Sequence, residues 1–98
     1  MNSKTISDNP KPEELLKGIQ VIDFSNKLPG PLAGHILSIL GAKVIKIEDA
    51  EKPDPYFSGF YSELNYGFRS WYDNINRKKE IIRINYLDKT DIEKLQNL

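Results

Sequence analysis

The segment LKGIQVIDFSNKLPGPLAGHILSILGAKVIKIE, residues 16–48, decides the fold of this chain. The apolar residues around Val21 do not alternate strictly with polar ones, which is typical of a strand buried on both faces of a parallel sheet. A helix is expected to begin near Pro31 and to end at Gly41, the positions that proline and glycine favour at helix ends. Val44–Ile47 predicts a second strand. Strand, helix and strand in about 30 residues predict a right-handed parallel βαβ crossover, a Rossmann-like α/β unit.

The rest of the chain predicts a short continuation of this unit. Residues 1–14 are polar and predict a disordered leader, so the folded segment is expected to span 15–98. The acidic, proline-containing stretch after Glu48 predicts a loop. An irregular aromatic-rich region follows, with a short helix at about 67–74. Residues 80–86 predict a third strand, and Asp88 is expected to cap a last helix that continues through Leu98.

Composition excludes several classes of site. The 98 residues are enough for one small domain, and 14 basic residues balance 14 acidic ones, so nothing global indicates a nucleic-acid partner. The chain has no cysteine and one histidine, which argues against a disulfide, a thiolate nucleophile and a metal site. The polar amino terminus and the lack of an apolar run of about 20 residues predict a cytoplasmic protein without a membrane segment.

Several features admit more than one interpretation. The turn before Pro31 could face a phosphorylated cofactor at a helix N-terminus, or it could be a tight connection without a ligand. The apolar stripe of the following helix is expected to be well covered. His35 could be a catalytic residue, but without an evident base or orienting partner it is expected to be a surface histidine. Glu48 could be a ribose-binding carboxylate of a nicotinamide enzyme, or a solvated strand end. The basic cluster 77–79 could meet cofactor phosphates, could bind nucleic acid with its aromatic neighbours, or could be a solvated turn.

Four ordered stretches resemble the amino-terminal part of the family III CoA-transferases, the group that includes formyl-CoA and carnitine CoA-transferases and α-methylacyl-CoA racemases. The matching stretches are residues 16–23 (LKGIQVID), 28–34 (LPGPLAG), 40–48 (LGAKVIKIE) and 75–79 (INRKK). Their order and spacing are similar to the family's over about residues 15–98. The resemblance implies an incomplete α/β segment of a larger fold in which two chains interlock as a homodimer.

The resemblance also implies a site for coenzyme A or acyl-CoA near the first strand–helix turn. Leu28 and Pro29 match the residues that contact CoA close to its thioester. Asp49 stands where the family often carries a CoA-binding arginine. The adenine contacts would fall on the stretch after the basic cluster, at Ile84, Asn85, Tyr86 and Leu87, where a lysine is common at the last position.

The family's catalytic aspartate, which forms the acyl-anhydride and CoA-thioester intermediates, lies downstream of these residues in the pattern. No aspartate of the chain matches it, so no residue here is expected to be catalytic. We therefore expect an amino-terminal CoA-binding segment that works with a carboxyl-terminal portion or a second chain. The alternative is a stand-alone, non-catalytic α/β binding or interaction module.

Overall fold

The structure is a computed structural model that describes residues 11–55 and 67–98. Its elements, in chain order, are a 3₁₀-helix at Pro12–Glu14, β1 (Gln20–Asp23), α1 (Pro29–Ile39), β2 (Lys43–Asp49), α2 (Gly67–Asn76), β3 (Glu80–Ile84) and α3 (Lys89–Gln96). The predicted α/β class is confirmed. The first ten residues of the predicted leader and the aromatic-rich stretch 56–66 lie outside the described residues.

The three strands form one parallel sheet in the order β1-β2-β3. Val21 pairs with Val44 on one side of the central strand, and Ile47 pairs with Ile82 on the other. Residues 44–48 of β2 are all buried, as the central position of the strand favours, although two of them, Lys46 and Glu48, are charged. Parallel pairing places the carboxyl ends of the three strands at the same edge of the sheet.

Alternation along the strands gives the sheet two different faces. The first, which we call the apolar face, carries a buried cluster of three isoleucines, Ile45, Ile47 and Ile84. Ile22, Ile82 and Leu95 of α3 pack against this cluster. The second, the charged face, carries Asp23, Lys46 and Glu48, which are all buried. Helix α1 packs against β1 and β2 on this face, and α2 packs against α1 and reaches Glu48 through Tyr72.

Helix α1 packs on the sheet through its small residues, and the prediction of a well-covered apolar stripe is wrong. Only Pro31 and Gly34 are buried in this helix, whereas Leu32, Ala33, Ile36 and Ile39 are exposed. The physical reason is the close approach at Gly34, where a Cβ would lie 2.8 Å from Oδ2 of Asp23. The bulkier side chains face away from the sheet as a result.

The element ends follow local signals. Helix α1 begins at Pro29, two residues before the predicted start, and Asp88 caps α3 as predicted by accepting a hydrogen bond from the Thr90 amide (2.8 Å). The 3₁₀-helix, inside the predicted leader, lies against Gly41, whose φ of +102° and whose missing Cβ both make room for the Glu13 carbonyl. Strand β3 ends at Ile84 rather than at Tyr86, and α3 at Gln96 rather than at Leu98.

No helix within residues 11–55 and 67–98 is long and apolar enough to cross a membrane.

Candidate functional site

The candidate site lies along the edge where β1, β2 and β3 end. The strands finish at Asp23, Asp49 and Ile84, and the register places these ends side by side. The β1–α1 turn, the residues after β2 and the residues after β3 therefore meet at one edge. Open α/β sheets bind their ligands at this edge, because loops and helix N-termini converge there.

The β1–α1 turn presents Leu28 and Pro29 to solvent. Leu28 is the residue before the first turn of α1, and its side chain is 38% exposed. The turn is tight, since a Cβ on Gly30 would lie 2.2 Å from the Ser25 Cβ. A groove of about 240 Å³ opens beside it between β1 and α1. These two predicted contact residues are thus accessible from the carboxyl edge.

The predicted residues of β2 and β3 differ in accessibility. Asp49 is half-buried and accepts a hydrogen bond from the Glu51 amide (2.9 Å). Ile84 is 1% exposed and belongs to the apolar core, so its side chain faces away from any ligand at the surface. Asn85 is half-buried. Its backbone amide donates a hydrogen bond to the Asp91 carboxylate (2.9 Å), and its Oδ1 accepts one from the Leu87 backbone amide (3.0 Å).

Tyr86 and Leu87 form the accessible part of the β3 end. They are 40% and 91% exposed and line a cavity of about 270 Å³ together with three residues of α3, one of which is Lys89. Burial, together with the nearby carboxylates of Asp49 and Glu48, raises the pKa of Tyr86 above its ordinary value. Since Asp49 pairs with Ile84, two residues before Tyr86, the register places Tyr86 at the same edge as Asp49 and Leu28.

Beneath the edge lies a first buried cluster, centred on Lys46. Its ammonium is fully buried, donates to the Ser25 carbonyl (2.5 Å) and lies 3.7 Å from Glu48 and 3.8 Å from Asp54. Tyr72 of α2 donates to Oε1 of Glu48 (2.8 Å), and the Asp54 amide donates to its Oε2 (3.2 Å). Burial and the Glu48 carboxylate raise the pKa of Tyr72, which keeps it a neutral donor.

Glu48 is therefore neither a solvated strand end nor a free ribose ligand. It is 1% exposed, and both carboxylate oxygens accept hydrogen bonds from the protein. A carboxylate engaged in this way holds the segment after β2 and helix α2 against the sheet. The geometry gives no support to the nicotinamide interpretation.

A second buried cluster joins β1 to α1 and to the start of β3. Lys79 donates to Asp23 (2.9 Å), to the Pro31 carbonyl (2.8 Å) and to Asn76 (2.8 Å). Burial alone would raise the pKa of Asp23, but hydrogen bonds from Ser25 and Lys79 outweigh it and lower that pKa. Burial lowers the pKa of Lys79, opposed by the Asp23 carboxylate. The pair is thus a buried, hydrogen-bonded ion pair.

The basic cluster 77–79 is divided by this arrangement. Lys79 is buried in the ion pair, and Arg77 and Lys78 are exposed. His35 is half-buried rather than on the surface, and its Nδ1 has no hydrogen-bond partner in the described part of the chain. Burial and the positive charges of Arg77, Lys79 and Lys78 lower the pKa of His35. The imidazole is accordingly neutral near pH 7.

Sequence reasoning missed most of the buried charged residues. Lys46 and Glu48 are two positions apart in a strand, so a period of two puts both on one face, and that signal was available. Asp54, Tyr72 and Lys79 come from separate segments, and no local pattern links them to Lys46 or Asp23. Among the residues that the structure describes, no group of three or more potential ligands could hold a metal ion.

Comparison with known proteins shows to which family the chain belongs. The model of CoA-transferase family III matches residues 16–98. Human succinyl-CoA:glutarate CoA-transferase is 32% identical over 93% of this chain, which covers 20% of that protein. Succinate–glutarate CoA-transferase of Agrobacterium fabrum is 43% identical over 50% of this chain and 12% of its own length.

A solved structure shares the fold. The crystal structure of Rv3272 from Mycobacterium tuberculosis superposes with a TM-score of 0.69 and 25% sequence identity, over 89% of this chain and 23% of that one. The curated protein of the same designation, a probable fatty acyl-CoA transferase, is 51% identical over 37 residues. The chain thus spans about a fifth or less of the curated relatives it matches.

Proposed function

This chain belongs to CoA-transferase family III, and from that premise we propose that it forms the amino-terminal part of a coenzyme A site in a protein that transfers CoA between carboxylic acids. The observation that carries the proposal is the convergence of Leu28 and Pro29 with Tyr86 and Leu87 on the carboxyl edge of one parallel sheet. The nucleophile would be an aspartate outside these residues, so this chain's role is binding.

The residues at this edge suit the chemistry of CoA. An exposed tyrosine and two exposed leucines offer flat and apolar surface for an adenine ring and a pantetheine arm. Asp49 and Leu87 stand where the family often has cations. Lys89 lies in the same cavity as Tyr86 and Leu87 and can supply a positive charge for a phosphate.

Two relatives support CoA as the ligand through their names, since both are described as transferring CoA to or from small dicarboxylates. A homodimeric full-length form and a cytoplasmic location belong to the same proposal, and sedimentation and cell fractionation test them.

Titration of the chain with CoA tests the proposal directly. We expect binding that Leu87→Ala weakens about tenfold, because the substitution removes apolar surface that the ligand would cover. Leu15→Ala is the matched control, since Leu15 is 56% exposed but precedes β1 at the opposite edge. Equal affinities for the two variants would contradict the assignment of the site.

A chimera extends the test to the whole site. Residues 16–98 would replace the matching segment of the mycobacterial relative, and CoA binding would be measured alongside the parent protein. We expect the folded chimera to bind CoA. A chimera that retains the parent's circular dichroism and thermal transition but does not bind CoA would refute the proposal.

The alternative function, a stand-alone interaction module, is favoured by one observation. Leu32, Ile36 and Ile39 of α1 are 37%, 49% and 38% exposed and form an apolar surface that a protein partner could cover. This alternative predicts a cooperative unfolding transition and no affinity for CoA, so the same titration separates the two functions.

A further inference from the structure

The backbone of the β1–α1 turn is held in an unusual conformation. Lys27 has a φ of 68°, in the left-handed region that residues with a Cβ occupy rarely and only when surrounding contacts stabilise it. Its neighbour Leu28 is one of the residues proposed to contact CoA. The contacts that stabilise Lys27 therefore also decide where Leu28 and Pro29 lie.

Asp54 supplies the contact at Lys27. Its side chain is fully buried, and its Oδ2 accepts a hydrogen bond from the Lys27 amide at 2.9 Å. The same oxygen lies 3.8 Å from the Lys46 ammonium, which donates to the Ser25 carbonyl. The turn is thus held at two backbone groups, two residues apart, by one buried pair of opposite charges.

The buried pair is itself fixed to the sheet. Lys46 is part of β2, and the Asp54 backbone amide donates to Glu48 of the same strand at 3.2 Å. A buried aspartate whose backbone amide and side chain both form hydrogen bonds has little freedom to move. The conformation of the turn is therefore tied to the central strand through Asp54, which lies 27 residues after Lys27.

We propose that Asp54 is a positioning residue for the CoA site, which fixes the β1–α1 turn in the conformation that presents Leu28 and Pro29 to the ligand. The inference rests on the proposed function. Asp54 itself is buried and acts through the Lys27 backbone. If the turn left its binding conformation, the apparent affinity would fall in proportion to the population lost.

The test combines amide hydrogen exchange with CoA titration on the 98-residue chain. In Asp54→Ala we expect the Lys27 amide to lose protection, the β2 and β3 amides to keep theirs, and the affinity for CoA to fall about tenfold or more. Glu80→Gln is the control, because it removes an exposed ion pair with Lys43 at the opposite edge. It should change neither quantity.

A second variant covers the case in which Asp54→Ala does not fold. Asp54→Asn keeps an oxygen for the Lys27 amide but loses the charge, and a hydrogen bond to a neutral acceptor is weaker. We expect partial loss of Lys27 protection and a smaller loss of affinity. A folded variant with wild-type protection at Lys27 and wild-type affinity would overturn the inference. If the wild-type chain does not bind CoA and the exchange result still appears, the proposed function fails on its own.

Discussion

The apolar face and the charged face of the same sheet are held together by different interactions. On the apolar face, Ile45, Ile47 and Ile84 pack with the leucine of α3, and each contact can be replaced by a similar side chain. On the charged face, Asp23 and Lys46 are buried with partners from distant segments. Burial of a charge costs free energy unless a partner and hydrogen bonds offset it. The comparison teaches that one face supplies stability and the other fixes which segments lie together.

The largest expected effect is the loss of one partner on the charged face. Asp23→Ala would leave the buried Lys79 ammonium without its carboxylate, and we expect the free energy of unfolding to fall by about 3–5 kcal/mol. Urea unfolding followed by circular dichroism measures this change.

The corresponding double variant sharpens that test. Asp23→Val with Lys79→Met replaces the pair by apolar side chains, and such replacements are often neutral, so we expect it to be more stable than Asp23→Ala. A double variant that is less stable than Asp23→Ala would mean that the lost carboxylate is not what destabilises the single variant.

A smaller effect is expected on the apolar face. Ile47→Val removes one buried methylene, which should lower the free energy of unfolding by about 1 kcal/mol. Ile39→Val makes the same change on α1, where the side chain is 38% exposed, and should alter stability by less than about 0.5 kcal/mol. If Ile47→Val destabilised the chain more than Asp23→Ala, the contrast between the faces would be lost.

The smallest expected effect is a pH dependence at His35, which lies close to Arg77, Lys78 and Lys79 beyond the charged face. Since its pKa is lowered on folding, the unfolded chain binds more protons between the folded pKa and 6.5, so stability should rise with pH across that window. His35 is the chain's one histidine, so its NMR titration is unambiguous. We expect a midpoint below 6.5 that Arg77→Gln moves upward, and a midpoint at or above 6.5 would contradict the structure.

Prediction from the sequence succeeded where neighbouring residues decide the outcome. The Pro31 and Gly41 signals marked a helix that the structure has at Pro29–Ile39, and Asp88 was recognised as a cap. The prediction failed for the face of α1 that packs against the sheet. The apolar stripe of α1 suggested burial through Ile36, but the helix packs against the sheet at Gly34, where a Cβ would lie 2.8 Å from Asp23 and 3.1 Å from Lys79.

The candidate site was predicted in part. The resemblance named Leu28, Tyr86 and Leu87, which the structure places on one edge, and their contact with CoA stays a prediction. Ile84 was named with them, yet its position in the strand turns its side chain into the core. The pairing of Asp54 with Lys46 and of Lys79 with Asp23 was missed, because a single sequence does not reveal contacts between different segments. The spacing of Lys46 and Glu48 could have indicated that both lie on one face of the sheet.

The sequence by itself determined the βαβ unit, the parallel sheet and the family, because strand composition, turn residues and ordered motifs are local properties of the chain. Only the tertiary structure decided that Asp54 would lie under Lys27 and that Lys79 would pair with Asp23. Those pairings depend on the packing of α1 and α2 over the sheet, which sets where each charge is buried. A buried charge is stable only beside its partner, so folding and the geometry of the site were decided together.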